Sequence, residues 1–219
     1  MKRLSKILVT AGPTRERLDD IRFISNLSTG RMGYAVADCA AKRGYKVTLI
    51  SGPTNIAPPG GVKFIEIEDA RQMEREVKKN IKKADCLFMT SAVCDWRPEA
   101  RVHGKIKKER LGKKISIKLV KNPDILAGVS GDKDGKILIG FALESESLLT
   151  NAKKKLKAKR LDLIVANSAR HKKSPFGHGK TDVTFIDNRG NVKNIRHATK
   201  KKVAKELLDS TEALWARKQ

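Results

Sequence analysis

Apolar residues along this 219-residue chain fall into short runs separated by stretches with helical spacing. Ile7-Leu8-Val9 is the first run, and it stops at the turn Gly12-Pro13-Thr14. A polar loop leads to Ser28-Thr29-Gly30-Arg31-Met32-Gly33, where a helix pattern begins with Met32, Ala35, Val36, Cys39 and Ala40 on one face. The pattern ends at Arg43-Gly44, and a second run, Val47 to Ile50, ends in another Gly52-Pro53-Thr54. Val62 to Ile67 reads as a third strand. Asp69 then caps a helix whose apolar positions are Ala70, Met73, Val77 and Ile81. Cys86 to Met89 is a buried parallel strand running into the small residues Thr90 to Cys94, with Pro98 stopping regular structure.

Residues 99–120 differ in character. Lys105-Ile106-Lys107-Lys108 and the alternation Ile115-Ser116-Ile117-Lys118-Leu119 predict a β-excursion, a candidate dimer or flap element. A short helix is predicted after Lys121, with Asn122 as cap and Pro123 at the first helical position. Lys136 to Phe141 and Leu163 to Asn167 read as strands flanking a basic helix over 147–160. A hairpin turns through Asp187 to Asn191, and a last helix from about Thr199 faces Val203, Leu207, Leu208 and Leu214 inward. Strands alternating with helices imply one α/β domain over 1–219, Rossmann-like, three-layered and mainly parallel. Ligands in such sheets sit at the carboxyl ends of the strands, and Gly12, Ser91, Phe141 and Asn167 all follow strands on that edge. The glycine-rich corner before the first helix suits an anion, because exposed backbone N–H groups and the helix dipole attract phosphate there.

Charge changes this picture less than its size suggests. The formal net charge is +24, which invites a nucleic-acid partner. The lysines are scattered over helix faces, however, and aromatic residues make up only 5%, too few for base-stacking platforms. No stretch approaches the ~20 apolar residues that span a bilayer, and Met1 to Lys6 offers no apolar signal region. Cys39, Cys86 and Cys94 form no CxxC pair, so reduced thiols and a cytoplasmic location are expected.

Several chemistries are disfavoured by spacing. The glycines Gly30 and Gly33 stand far from the first strand, and Ser51-Gly52-Pro53 supplies no acidic residue for a ribose, which argues against a dinucleotide fingerprint. There is no G-x-x-x-x-G-K-[ST] and no H-E-x-x-H, and His103, His171, His178 and His197 lie in polar segments as surface residues rather than metal ligands.

Seven segments occur in a telling order: TAGPTRE (10–16), IRFISNLSTGRMG (21–33), SAVCDWRP (91–98), KIKK (105–108), VKNPDIL (120–126), IGFALES (139–145) and DLIVAN (162–167). Together the chain resembles phosphopantothenate–cysteine ligase; KIKK and KNPDI resemble the bacterial, CTP-using type, with an ATP-using version of the same ligase as the alternative. The resemblance implies a coenzyme A pathway ligase that joins 4′-phosphopantothenate to L-cysteine through an acyl-cytidylate, with CTP as co-substrate, Mg²⁺ arriving on its phosphates, and a homodimeric assembly. Bacterial relatives often carry a flavin-dependent decarboxylase ahead of this domain. Nothing precedes the first strand here, so either a monofunctional ligase or a piece of a longer protein is expected, with no flavin site.

Residue roles follow from the same resemblance. Asn26, otherwise a turn or cap residue, is implied to contact the acyl and pantothenate portion. Ser28, Gly30 and Gly33, with Gly12 across from them, match the triphosphate-binding helix start, which a simple close-packed helix would also explain. Ser91, Ala92 and Asp95 match the segment that holds substrate and nucleotide. Lys105 matches an essential lysine, although one lysine among 48 basic residues is by composition a surface residue. Pro123, Asp124, Ile125, Phe141, Lys155 and Lys159 are implied nucleotide contacts, and Asn167 a phosphate contact. Arg22 matches an arginine that reaches the neighbouring subunit's substrate. Cys94 departs from the small residue usual at its position.

Overall fold

The computed structural model describes residues 3–107, 114–131, 133–144, 146–168 and 179–218. Its central sheet has eight strands: β1 (Lys6–Ala11), β4 (Lys46–Ser51), β5 (Lys63–Glu66), β6 (Cys86–Met89), β9 (Ile137–Glu144), β10 (Leu163–Ser168), β11 (Thr181–Asp187) and β12 (Val192–Ala198). Two ribbons stand apart from it, β2 (Arg15–Arg17) with β3 (Phe23–Ser25) and β7 (Trp96–Pro98) with β8 (Leu119–Lys121). The helices are α1 (Arg31–Lys42), α2 (Ala70–Ile81), α3 (Ile125–Ser130), α4 (Leu148–Ala158) and α5 (Lys200–Ala216).

The sheet order is β12-β11-β10-β9-β6-β1-β4-β5. Pairing is parallel from β5 through β10, and β11 runs antiparallel to both its neighbours. This is the expected mainly parallel α/β architecture. Helices cover both faces, which is why the central strands read as continuous apolar runs rather than alternations. Val9, Leu49, Phe88, Ile139 and Val165 pack on the side of α1 and α5. Their neighbours Leu8, Ile50, Leu87, Leu138 and Ile164 pack on the side of α2, α3 and α4. The progression reverses at β1: β4 and β5 lie to one side of it, β6 and β9 to the other. That reversal opens a crevice beyond the carboxyl ends of β1 and β6.

Three local expectations are corrected. The buried residues of α1 are Gly33, Tyr34, Val36, Ala37 and Ala40, while Met32, Ala35 and Cys39 are only partly buried. The helix is covered by the sheet and also by α5, so its apolar stripe serves two neighbours. The cap of α3 is Asp124 rather than Asn122: its carboxylate accepts the Ala127 amide at 3.1 Å and the helix begins at Ile125. Among the described residues of the predicted β-excursion, only its last residues Leu119 and Val120 are in a strand, β8, which pairs with Trp96–Pro98 just ahead of the excursion, and residues 114–118 form no strand. Ile115, Ile117 and Leu119 are all exposed, since among the described residues nothing covers their alternating face. Lys108 of the KIKK segment, Ser145, His171 and His178 lie outside the described residues.

The Asp69 cap, the inward residues of α5 and the hairpin fall where the pattern places them. Among the described residues the three cysteines are unpaired, and no helix is long and apolar enough to cross a membrane.

Candidate functional site

The floor of the crevice is a set of close backbone approaches. Gly12 and Gly30 adopt φ of 71° and 77°, which L side chains rarely adopt. A Cβ on Gly52 would lie 1.8 Å from the Pro13 carbonyl, so the two Gly-Pro-Thr turns can meet only through glycine. A Cβ on Gly33 would meet Thr90 Oγ1 at 2.4 Å and the Thr10 carbonyl at 2.8 Å, which seats the first turn of α1 directly on the end of β1. Gly30 is the N-cap of that helix, its N–H donating to Ser28 Oγ at 3.3 Å, and Gly30 to Gly33 line the crevice.

The second wall is the segment after β6. Ala92 bridges to Pro13, its N–H donating to the Gly12 carbonyl at 2.9 Å. The Asn26 amide donates to the carbonyls of Ala92 and Val93 at 3.1 and 3.2 Å, and Ser25 Oγ donates to the Thr14 carbonyl at 2.7 Å. These bonds lock the polar loop around Asn26 against residues 91–94. Thr10 Oγ1 and Ser91 Oγ lie 2.9 Å apart, and the Thr14 hydroxyl accepts the Cys94 amide at 3.0 Å. The far wall begins at Asn122, whose Nδ2 donates to the Cys94 carbonyl at 2.9 Å. Beyond it Lys159 Nζ lies 2.9 Å from Asp124. Burial alone would raise the Asp124 carboxyl, but the Lys159 ammonium and the Ala127 amide outweigh it and hold its pKa below the usual value.

These walls enclose a cavity of about 700 Å³, of the size that takes a small ligand. Asn26, Ser28, Gly30, Gly33, Ser91, Ala92 and Asp95 line one side. Pro123, Asp124, Ile125, Phe141, Lys159 and Asn167 line the other. Four candidates lie elsewhere. Gly12 is buried in the floor beneath Gly30 and supports the lining without joining it. Lys155, one turn before Lys159, pairs with Glu144 at 2.6 Å. Arg22 binds Asp19, and Lys105 is exposed on a segment beside it.

Lys200 also lines the cavity, as do Thr90 and Asn122, which pattern marks only as part of a small-residue strand end and as a helix cap. Lys200 opens α5, and burial pulls its pKa below that of an ordinary lysine. Its only sequence signal is a lysine directly after a capping threonine, which the neighbouring Lys201 and Lys202 obscure. His103 and His197 are exposed. Among the described residues no group of three or more His, Cys, Asp or Glu side chains could hold a metal ion.

A mainly parallel α/β sheet with a ligand-sized cavity at its switch point, and a helix N-terminus in the wall, defines a Rossmann-like α/β domain. The family described as DNA/pantothenate metabolism flavoprotein C-terminal domain matches residues 3–214, and the chain belongs to it. The coenzyme A biosynthesis bifunctional protein CoaBC of Borreliella burgdorferi is 42% identical over 205 residues, 93% of this chain and 51% of that protein. Its counterpart in Bacillus subtilis is 38% identical over 209 residues, 95% of this chain and again 51% of the relative. The chain thus spans about half the length of these curated relatives. The crystal structure of the C-terminal domain of a CoaBC protein superimposes with a TM-score of 0.84 at 36% identity, covering 97% of this chain and 96% of that one. A Cab2 mutant in complex with phosphopantothenate-cysteine shares the fold, with a TM-score of 0.75 at 16% identity over 97% of this chain and 88% of that one. The resemblance carried by the seven motifs is borne out at the level of this coenzyme A biosynthesis family.

Proposed function

We propose that this chain is the ligase domain that joins 4′-phosphopantothenate to L-cysteine with CTP. The observation that carries the reading is that most residues matched through the family motifs, though distant in sequence, line one cavity. In the first step a carboxylate oxygen of 4′-phosphopantothenate attacks the α-phosphorus of CTP, forming an acyl-cytidylate and releasing pyrophosphate. The cysteine amine then attacks the acyl carbon, forming the amide and releasing CMP. Both steps concentrate negative charge, which fixed donors and cations stabilise.

In this reading the amides at the start of α1, with Ser28, Gly30 and Gly33, receive phosphate oxygens. Pro123, Asp124, Ile125, Phe141 and Lys159 hold the nucleoside end, and Asn167 a phosphate. Ser91, Ala92 and Asp95 seat the pantothenate portion beside Asn26, while Lys105 neutralises charge at the acyl-cytidylate. Mg²⁺ arriving on the triphosphate would neutralise charge there; Asp95 and Asp124 are the cavity-wall carboxylates that would face it, Asp124 being paired with Lys159.

A homodimer fits the apolar residues around the two ribbons. Leu27 is 85% exposed and Ile21 64%, with Phe23, Trp96 and Val102 also exposed. Pairing two copies over this face would bury them and carry Arg22, together with the Lys105 segment bonded to it, toward the second cavity. Pyrophosphate release from CTP with 4′-phosphopantothenate and Mg²⁺ tests the reading; no release with any nucleotide refutes it. The same assay with ATP decides the nucleotide.

A further inference from the structure

Two carboxylates outside the cavity tie the loop carrying Arg22 to the segment carrying Lys105. Asp19 is fully enclosed. Its Oδ1 accepts the amides of Ile21 and Arg22 at 2.8 and 2.6 Å. Its Oδ2 accepts Arg22 Nε and the Ile106 amide, both at 3.1 Å, with Arg22 Nη2 at 2.9 Å. Arg22 Nη2 in turn donates to the Ile106 carbonyl at 2.7 Å. Asp20 holds the other flank, accepting the Gly104 amide at 2.8 Å and Arg101 at 2.6 Å, while its own amide donates to the Gly104 carbonyl at 3.3 Å. The residues on both sides of Lys105 are therefore bonded to one acidic turn, and the Lys105 side chain is exposed.

We propose that Asp19 is a positioning residue that sets Lys105 and Arg22 as one unit at the edge of the active site. The proposal rests on the ligase reading given above. Geometry makes Asp19 specific, because a single buried carboxylate bonds both the Arg22 guanidinium and the Ile106 amide. Rotating it or neutralising it breaks its bonds to both partners at once. The same acidic turn leads through Arg22 into β3 and so to Asn26, which gives the two cations a fixed frame with the cavity wall.

The test uses the full chain carrying Asp19→Asn, Lys105→Gln, or both. Amide hydrogen exchange over residues 104–106 should accelerate by about tenfold or more in Asp19→Asn, as expected when a buried acceptor becomes a donor. Its kcat should fall by about tenfold or more with the KM for CTP within about twofold, the split expected when a group is mispositioned rather than a binding pocket lost. Added to Lys105→Gln, the Asp19 change should cost less than about twofold of the residual turnover, because neighbours acting through one group are not additive. An equal loss in both backgrounds, or unchanged exchange, overturns the proposal. If Asp19→Asn fails to fold, Asp20→Asn loosens the same segment from its other flank and must show the same pattern. Absence of turnover in the parent chain would instead remove the ligase reading, while the exchange measurement still decides the clamp.

Discussion

Replacing Gly33 by alanine isolates the contact that seats α1 on the sheet. In an open helix the change would stabilise by about 1 kcal/mol, since glycine is the poorer helix former. At this position the new Cβ meets Thr90 Oγ1 at 2.4 Å, Ala11 Cβ at 2.6 Å and the Thr10 carbonyl at 2.8 Å. Two of those neighbours are fixed in the central strand. The third could rotate away only by giving up its hydrogen bond to the Thr10 carbonyl. Overpacking costs about 1–3 kcal/mol, and the lost bond about 1 kcal/mol. Against the propensity gain of about 1 kcal/mol, the net expectation is a destabilisation of about 1–3 kcal/mol, or a fall in Tm of about 3–10 °C for a domain of this size.

Gly128 in α3 is the matched control. A Cβ there touches only the flexible end of Lys78 at 3.9 Å, so Gly128→Ala should be neutral or stabilising by up to about 1 kcal/mol. Urea denaturation of both variants gives the comparison. Nucleotide affinity should weaken in Gly33→Ala alone, because a displaced α1 carries its N-terminal amides away from the floor. A Gly33→Ala protein as stable as its parent, with Gly128→Ala behaving as expected, would refute the packing argument.

The remaining expectations concern polar groups. Asn26→Asp replaces a donor by a carboxylate facing the Ala92 and Val93 carbonyls, so product formation should drop by about tenfold or more while CD stays native; unchanged turnover counts against the role. Lys200→Ala should raise the KM for the nucleotide several-fold, since it removes a half-buried cation from the cavity wall, and an unaltered KM would place Lys200 outside the binding surface. Asp19 contributes to the acid limb of stability, alongside Asp20, Asp124 and Asp187. Burial alone would raise its carboxyl, but the amides of Ile106, Arg22 and Ile21 and the Arg22 charge pull it down to about 2. A carboxylate with a depressed folded-state pKa stabilises fully above about pH 4 and loses that contribution as the pH falls to about 2. Asp19→Asn should therefore make the stability profile less steep between those values; the parent's acid slope persisting in full in the variant would show that Asp19 does not contribute to it.

Much of this molecule was readable in one dimension. Apolar runs bounded by Gly and Pro locate the central strands, because a strand covered on both faces has no polar alternation to confuse. Helical spacing locates α2, α4 and α5 for the complementary reason that each has one covered face. Pattern misjudged α1, which is covered twice, and left the β2–β3 ribbon as a polar loop, since three-residue strands away from the core carry almost no periodic signal. It also placed the α3 cap two residues early, because Asn122 and Asp124 are equally able caps and Asn122 turns instead to the Cys94 carbonyl.

The chemistry divides along the same line. Sequence by itself determined the fold class, the family and the residues at the strand ends, since these depend on local order and on motifs contiguous in the chain. Tertiary structure decided which cations face the cavity. Lys155 and Lys159 share a helix side, yet one ends on Glu144 and the other beside the ligand space on Asp124. Lys200, lost among its lysine neighbours, reaches the same space from the opposite end of the chain, whereas Arg22 and the backbone on both sides of Lys105 are tied to Asp19 and Asp20. A lysine's reach is several ångströms in any direction, and its charge reads the same wherever it points. Only the carboxylates and carbonyls assembled around it by folding fix where that charge acts.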